Sequence, residues 1–377
     1  MRFGEPLQEA RLQALLAPGR GIDTVITADA YGAGEADSLL GRALSGVDRE
    51  DYCLIGAIGH DFYTGAREGA KGYPRFTDRN LRSESGYADY IAMATERSLE
   101  RCGVERFDVL LLHNPDRTGY ISEAVWQGMA AVRETGLTRL LGVAPGPANG
   151  FTLDLIGCME RYGELIDWAM IILGPLEPWP GELVLSAARA NDVSLITRVV
   201  DYGGLFHDDV CPGHVFAEHD HRGFRPDGWI ESGRERLEQM RPIARAHGMT
   251  MLQLACAWNL AQAPVRCVAP TLIQEPGSAD GKPDGRPVRP IEDKRAELAA
   301  VAALPGVADG GSPLSADEVA QIRAIGENTG CMALKGASPA HEGPAQADRW
   351  GLDDELEDVA GRWDIDPARD LAFSRAA

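Results

Sequence analysis

Short apolar runs alternate with amphipathic stretches along the first three-quarters of the chain. The runs Val25-Ile26-Thr27, Tyr52 to Ala57, Val109 to His113, Leu140 to Val143, Trp168 to Ile172, Ser194 to Val199 and Cys267 to Ala269 have the length and side-chain content of strands. Helices are predicted between them over Asp37–Ser45, Tyr87–Cys102, Ser122–Thr135, Phe151–Tyr162, Glu182–Asn191 and Arg234–His247. Helical spacing is clearest in Ile91, Thr95 and Leu99, and in Leu237, Met240, Ile243 and Ala244. Strand–helix alternation at this pitch implies parallel strands joined by helical crossovers. Seven strands, with a short eighth around Arg2–Gly4, favour an α/β fold of the (β/α)8 TIM barrel kind over an open doubly wound sheet. No GxGxxG turn follows any strand, which weakens a Rossmann reading further.

Three long segments interrupt the rhythm. Gly59–Ser85 follows the third barrel strand, Asp201–Gly228 follows the seventh, and the Pro/Gly-rich Pro276–Pro290 follows the last. In a barrel, loops after strands lie on the active-site face. Beyond about Lys335 the pattern changes and ends in a helix-like stretch, Asp353–Trp363. The expected organisation is one barrel over residues 1–330 and a C-terminal helical extension over 331–377, packed on the barrel.

Composition narrows the function classes. The chain has 377 residues, 44% hydrophobic and 25% charged, ample for a sizeable core. Lys plus Arg is 37 and Asp plus Glu is 57, a net charge of −20. A surface this acidic argues against nucleic acid or an anionic membrane as the main partner and leaves a small-molecule substrate as the expected one. No apolar run reaches the length of a membrane span, and Met1 to Pro6 lacks the apolar core of a signal peptide, so the expected location is the cytoplasm. The seven cysteines are scattered without a CxxC pair and read as buried free thiols. Oligomeric state is left open.

The stretch Gly21-Ile22-Asp23-Thr24-Val25-Ile26-Thr27-Ala28-Asp29-Ala30-Tyr31-Gly32, followed by Leu39-Leu40-Gly41-Arg42-Ala43-Leu44, resembles the aldo-keto reductase signature. Phe107 to Asp116 resembles the family's fourth strand, and Gly136 to Val143 the approach to its fifth. Further blocks (Gly203-Gly204-Leu205, Asp220-His221-Arg222, Gln253-Leu254-Ala255) extend the resemblance over roughly residues 1 to 330. The resemblance implies a barrel that binds NADPH and reduces a carbonyl, with a Tyr as proton donor supported by a Lys, an Asp and a His. The Tyr matches Tyr31 and the His matches His113. The Asp position reads Ile26 and the Lys position reads Ile58, so two charges give way together to apolar residues. Losing both is physically consistent, whereas losing one would leave a buried charge unpaired. The contacts that the family makes to the nicotinamide fall on Ala144, Pro145, Met170 and Arg198, and Glu275 lies near its phosphate clamp.

From these departures the expected catalytic set is Tyr31, His113, Arg198 and Asp201, with Arg67, Lys71, Arg75, Trp179 and Tyr202 as substrate-binding residues. A Tyr alone is a weak acid near neutrality, whereas a His titrates there and an Arg can hold a carboxylate or phosphate. The favoured reading is acid–base chemistry on a small polar carbonyl or sugar-like substrate with no nicotinamide cofactor: an elimination, retro-aldol, isomerisation or hydrolysis. The alternatives are an aldehyde or ketone oxidoreductase using NADP or NAD, and a non-catalytic binding subunit. Bland readings stand beside the residues: Tyr31 packs its turn, His113 is a hydrogen-bonded strand end, and Arg198 pairs with Asp201 or Glu177. His207, His214, His219 and His221 could bind a metal with Asp208, Asp209 and Cys211, but their surroundings match an ordinary family loop, so no metal is expected.

Overall fold

In the computed structural model the described residues are 4–19, 21–68, 72–146, 151–218, 220–225, 227–277, 287–329 and 352–371. Helix α1 (Glu9–Leu16) precedes β1 (Thr24–Ile26), α2 (Glu35–Leu44), β2 (Cys53–Ile58), α3 (Tyr87–Cys102) and β3 (Phe107–His113). Helices α4 (Arg117–Ile121) and α5 (Glu123–Glu134) lead to β4 (Thr138–Ala144), α6 (Thr152–Tyr162), β5 (Trp168–Ile172), α7 (Leu185–Ala190) and β6 (Ser194–Arg198). The remainder is α8 (Trp229–Ala246), α9 (Met251–Leu260), β7 (Val265–Ala269), α10 (Ile291–Ala299), α11 (Ala316–Ile325), α12 (Asp354–Arg362) and α13 (Pro367–Asp370).

The seven strands form one parallel sheet in the order β1 to β7. Its curl and strand–helix alternation agree with the barrel expectation, but the described residues show no eighth strand. Arg2 and Phe3 lie outside them, and at the chain start the Glu5 N–H donates to the Gln274 carbonyl beyond β7 (2.8 Å).

Strand alternation sorts the apolar residues into two layers. Leu54, Ile58, Leu110, Leu112 and Leu141 face outward into a core shared with Ile91, Trp126, Met129, Ile156 and Leu237 of the helices. Ala28, Ile55, Ala57, Val109, Leu111, Ala144, Met170 and Ile196 fill the concave interior. Helix α9 was not foreseen because MLQLACAWNL is apolar around most of its circumference and lacks an amphipathic period. Its start is fixed by a capping box between Thr250 and Gln253.

The end of the chain docks beside α6. Leu356, Val359 and Ala360 of α12 are buried, and Glu355 takes ion pairs from Arg117 (2.7 Å) and Arg161 (2.5 Å). No helix among the described residues is long and apolar enough to cross a membrane.

Candidate active site

The carboxyl ends of the parallel strands converge on one mouth, and the exits of β1, β2, β3 and β6 each deliver a polar side chain there. After β1 the chain turns sharply through Asp29 to Gly34. The Tyr31 N–H bonds the Ala28 carbonyl (2.9 Å), and Gly32, Ala33 and Gly34 are all left-handed. Gly34 has φ 93°, and a Cβ there would lie 2.7 Å from Arg101 Nε, so this turn needs glycine. Buried Asp37 anchors the start of α2, accepting bonds from Thr27 Oγ1 (2.7 Å), Ser98 Oγ (2.8 Å) and Arg101 Nη2 (2.9 Å). Tyr31 is thus presented on a braced turn with 49% of its surface open.

His113 closes β3 facing the interior. Its ring meets that of Tyr31 edge to face, centroids 5.6 Å apart and planes at 88°. The crowded mouth pushes the Tyr31 phenol up, with the Arg198 charge pulling it back. Burial, then His60, Arg198 and Arg75, hold the His113 imidazole well below its ordinary range, so it is neutral at physiological pH.

Two residues that sequence reasoning did not single out complete the mouth. His60 leaves β2 beside His113, with centroids 5.4 Å apart. Asn114 follows His113 and bonds His60 through its amide nitrogen (Nδ2 to Nε2, 3.1 Å). The register Ile58↔Leu112 carries forward to put His60 opposite Asn114. Gly59 permits the approach: a Cβ there would lie 2.1 Å from the His113 carbonyl oxygen. The signal that could have found them is a histidine just past one strand and another ending its neighbour.

Arg198 ends β6 and points into the mouth, where its Nη2 donates to the Pro145 carbonyl (2.9 Å). Among the described residues no carboxylate lies within ion-pair reach of it. The partners offered by a purely structural reading are engaged elsewhere. Asp201 accepts the Gly204 N–H (2.9 Å) and the Thr271 N–H (2.7 Å), tying the β6 and β7 exits together, and Glu177 pairs with Arg225. Burial draws the Arg198 guanidinium down from its usual range, and it remains a cation.

The other expected substrate contacts are scattered. Arg75 donates through Nε to the Asn114 carbonyl (2.9 Å) and bridges His60 through the backbone. Arg67 is exposed on the same loop, and Lys71 lies outside the described residues. Trp179 is 2% exposed, exchanges hydrogen bonds with Asn328 (both 3.0 Å) and donates through Nε1 to the Asp370 carbonyl. It is covered by the end of the chain and does not line an open pocket. Tyr202 is 8% exposed beneath the Arg225 guanidinium (4.4 Å from its ring) and against Trp229. The lysine position is also corrected. Ile58 faces the helical layer, and Ala57 faces the interior. A side chain that reaches the interior from this end of β2 would therefore come from Ala57, because alternation turns neighbouring residues to opposite faces.

The histidine-rich loop is tied into polar contacts. His207 Nε2 bonds the Thr271 carbonyl (2.9 Å), and His214 Nε2 bonds Glu275 Oε2 (3.0 Å). His219 lies outside the described residues, among which no group of three metal-ligating side chains occurs. Glu275 and Asp220 clamp the fully buried Arg222 (2.6 and 2.7 Å), and Lys294 pairs with Asp209 (2.5 Å).

Known proteins share this fold. A probable voltage-gated potassium channel subunit beta from Arabidopsis thaliana is 23% identical over 276 residues, 68% of this chain and 76% of that protein. A D-threo-aldose 1-dehydrogenase from Pseudomonas sp is 25% identical, covering 66% of this chain and 74% of that protein. Among solved structures, the glycerol dehydrogenase of Gluconobacter oxydans superposes with a TM-score of 0.60 at 19% identity, over 92% of this chain and 88% of that one. An aldo-keto reductase from Klebsiella pneumoniae solved with NADPH gives 0.53 at 18% identity, over 86% and 87%. These findings contradict the expectation that no cofactor is favoured: one sequence relative is an aldose dehydrogenase, and one solved relative was solved with NADPH. The family model for the Aldo/keto reductase family matches residues 4–275, most of the chain, and the protein belongs to that family.

Proposed function

We propose that the protein is a carbonyl oxidoreductase that uses NADP(H) and acts on a small polar carbonyl or sugar-like substrate at the mouth formed by Tyr31, His113 and Arg198. The observation that carries this reading is the edge-to-face Tyr31–His113 pair at the exits of β1 and β3, a protonated phenol against a neutral imidazole. NADP(H)-bound and dehydrogenase relatives support the cofactor.

The residues present fit the nicotinamide end of the cofactor in an unusual way. The small and apolar Ala144, Pro145 and Met170 supply no side-chain donor. Arg198 directs one N–H to Pro145 and lines, with Gly146, Thr152 and Met170, a pocket of about 40 Å³. At roughly 10–15 Å³ per water this is room for a planar three-atom group such as a carboxamide. Arg198 would hold that group through its remaining donors. When bound, the dinucleotide supplies or accepts the hydride. Tyr31 gives its phenolic proton to the carbonyl oxygen as the alcohol forms, and Arg198 steadies the phenolate left behind. His113 orients the same oxygen by a hydrogen bond from Nε2. Arg75 and Arg67 place positive charge at the rim for a polar substrate, and Asp201, Tyr202 and Trp179 position the surrounding loops. The barrel as one domain, with the described part of the C-terminal extension (352–371) packed upon it, belongs to the same reading, as does a cytoplasmic location.

Calorimetric titration with NADPH, followed by its consumption with a panel of aldehydes, ketones and aldoses, tests the proposal. Micromolar binding and turnover are expected. A folded protein that binds no nicotinamide dinucleotide would sink it, and binding without turnover of any substrate would point instead to a binding subunit.

A further inference from the structure

His60 lies outside every role assigned above, and both of its ring nitrogens are engaged. Nδ1 lies 2.7 Å from the Tyr73 carbonyl oxygen, which can only accept, so Nδ1 carries a proton. Nε2 lies 3.1 Å from the Asn114 side-chain nitrogen, which donates, so Nε2 is bare. These contacts fix one neutral tautomer, and a second proton would meet an amide N–H instead of an acceptor. Asn114 is itself held. Its N–H bonds the Ala144 carbonyl (2.7 Å), its own carbonyl accepts from Arg75 Nε (2.9 Å), and its backbone is left-handed at φ 48°. The His60 carbonyl takes the Tyr90 hydroxyl (3.0 Å), pinning the residue from behind.

The locked ring stands edge-on to His113 (5.4 Å, 74°), and His113 stands edge-on to Tyr31 (5.6 Å, 88°). His113 Nδ1 is buried with no hydrogen-bond partner among the described residues, so nothing bonded to that nitrogen fixes its ring. Packing must do so, and His60 is the second aromatic ring against it besides Tyr31. A bare buried lone pair costs less than an orphaned N–H, so the His113 proton belongs on Nε2. The charged and titratable groups facing His113 are Tyr31 from the β1 exit, His60 and Arg75 from the segment after β2, and Arg198 from β6.

We propose that His60 is a positioning residue: the Tyr73–His60–Asn114 hydrogen-bond chain locks its ring as a neutral wall that holds His113 edge-on to Tyr31 in the Nε2–H tautomer. The inference rests on the Tyr31–His113 reading of the site for its catalytic consequence, but not for its structural one.

The test therefore has two arms. Imidazole nitrogen NMR of the protein without cofactor reads tautomers directly. At neutral pH His60 is expected as Nδ1–H, and His113 as Nε2–H. In His60→Ala the His113 signals should show mixed tautomers and titrate closer to the ordinary histidine value. In His60→Gln, whose amide can keep one of the two bonds, a single His113 tautomer should return. In the second arm, kcat for NADPH-dependent reduction should fall on the order of 10²-fold in His60→Ala with KM for NADPH within about twofold, and recover in part in His60→Gln. An unchanged His113 spectrum in folded His60→Ala overturns the proposal. So does an Nε2–H tautomer of His60 in the wild-type protein, which decides the matter even if the alanine variant does not fold. Absence of NADPH turnover would strike the functional reading alone, because the NMR arm needs no cofactor.

Discussion

Tyr31 and His113 meet at right angles across the exits of two strands, ring centroids 5.6 Å apart, with β2 lying between those strands in the sheet. A hydroxyl placed so can give its proton to an oxygen that the imidazole holds. Tyr31→Phe should leave the fold intact, since the residue is half exposed. Reduction should fall by about 10²- to 10⁴-fold, the usual worth of a positioned acid. NADPH affinity should stay within about twofold. Parallel calorimetry and steady-state kinetics check this, and a lost NADPH affinity would mean that Tyr31 serves binding instead.

The pH profile follows from the directions of two shifts. The Tyr31 phenol is raised, so it keeps its proton through neutrality and into the alkaline range. The His113 imidazole is lowered, so it stays neutral down to mildly acid pH. Reduction should therefore be flat from about pH 6 to 9, falling only above that as the phenol ionises. Removing the Arg198 charge should raise both groups, because Arg198 lowers Tyr31 and lowers His113. The Arg198→Gln profile should move to higher pH on both limbs, and a downward move would be the wrong sign.

Arg198 also sets a redox preference. The oxidised nicotinamide is a cation and the reduced ring is neutral, so a guanidinium beside it penalises the oxidised form. Wild-type protein should bind NADPH more tightly than NADP⁺, by about tenfold or more. Arg198→Gln should narrow that ratio without reversing it. Calorimetry with both cofactors measures the two ratios, and equal ratios would show that the guanidinium does not face the ring.

How far these features were legible depends on what kind of pattern encodes each. Strand positions were readable because parallel strands are continuous apolar runs, and Trp168–Ile172 falls at its expected bounds. Tyr31 was readable from the Tyr-Gly turn that the family resemblance aligns. Which face Ile58 takes was not readable: in a strand one residue exchanges the interior for the helical layer, and Ile58 faces the helices while Ala57 faces the interior. His60 carries no motif of its own. Its place beside His113 comes from the register between β2 and β3, which a single sequence does not display. Trp179 looked like a pocket residue between two prolines, but its burial depends on Asn328 and Asp370, 149 and 191 residues away.

The clamp around Arg222 is expected to matter for stability instead of chemistry. Burial opposes ionisation of Asp220 and Glu275. The bonds from Arg222, and from His214 to Glu275, outweigh it and hold both carboxyls below their ordinary values. A lowered folded-state value gives stability that is present above the unfolded value near 4 and lost as pH falls through the folded one. The urea midpoint should therefore fall in acid, and less so in Arg222→Met. At neutral pH that variant should lose about 3–5 kcal/mol, since it leaves two buried carboxylates without their cation. An unchanged urea midpoint at pH 7 would show the clamp to be neutral for folding.

The apolar pair at Ile26 and Ala57 offers the sharpest check on how this site departs from its family. They lie on adjacent strands whose register sets Ile26 opposite Ile55, two residues before Ala57, and Ile26 is 36% exposed. Ala57 is 4% exposed within an apolar cluster. A lysine placed there alone would bury its charge among apolar neighbours. Ala57→Lys should thus lower stability by several kcal/mol, through desolvation and overpacking together. Ile26→Asp alone, at a position 36% exposed, should cost little by comparison, its carboxylate staying solvated. The double variant should recover part of the loss, with an interaction energy of about 0.5–3 kcal/mol in a double-mutant cycle. It should also draw the Tyr31 phenol down by adding a cation beside it, visible as an earlier alkaline limb in the absorbance titration of the tyrosine. Strict additivity of the two substitutions would mean that the side chains do not meet, and that the interior of this barrel has closed over the place where the charged pair would stand.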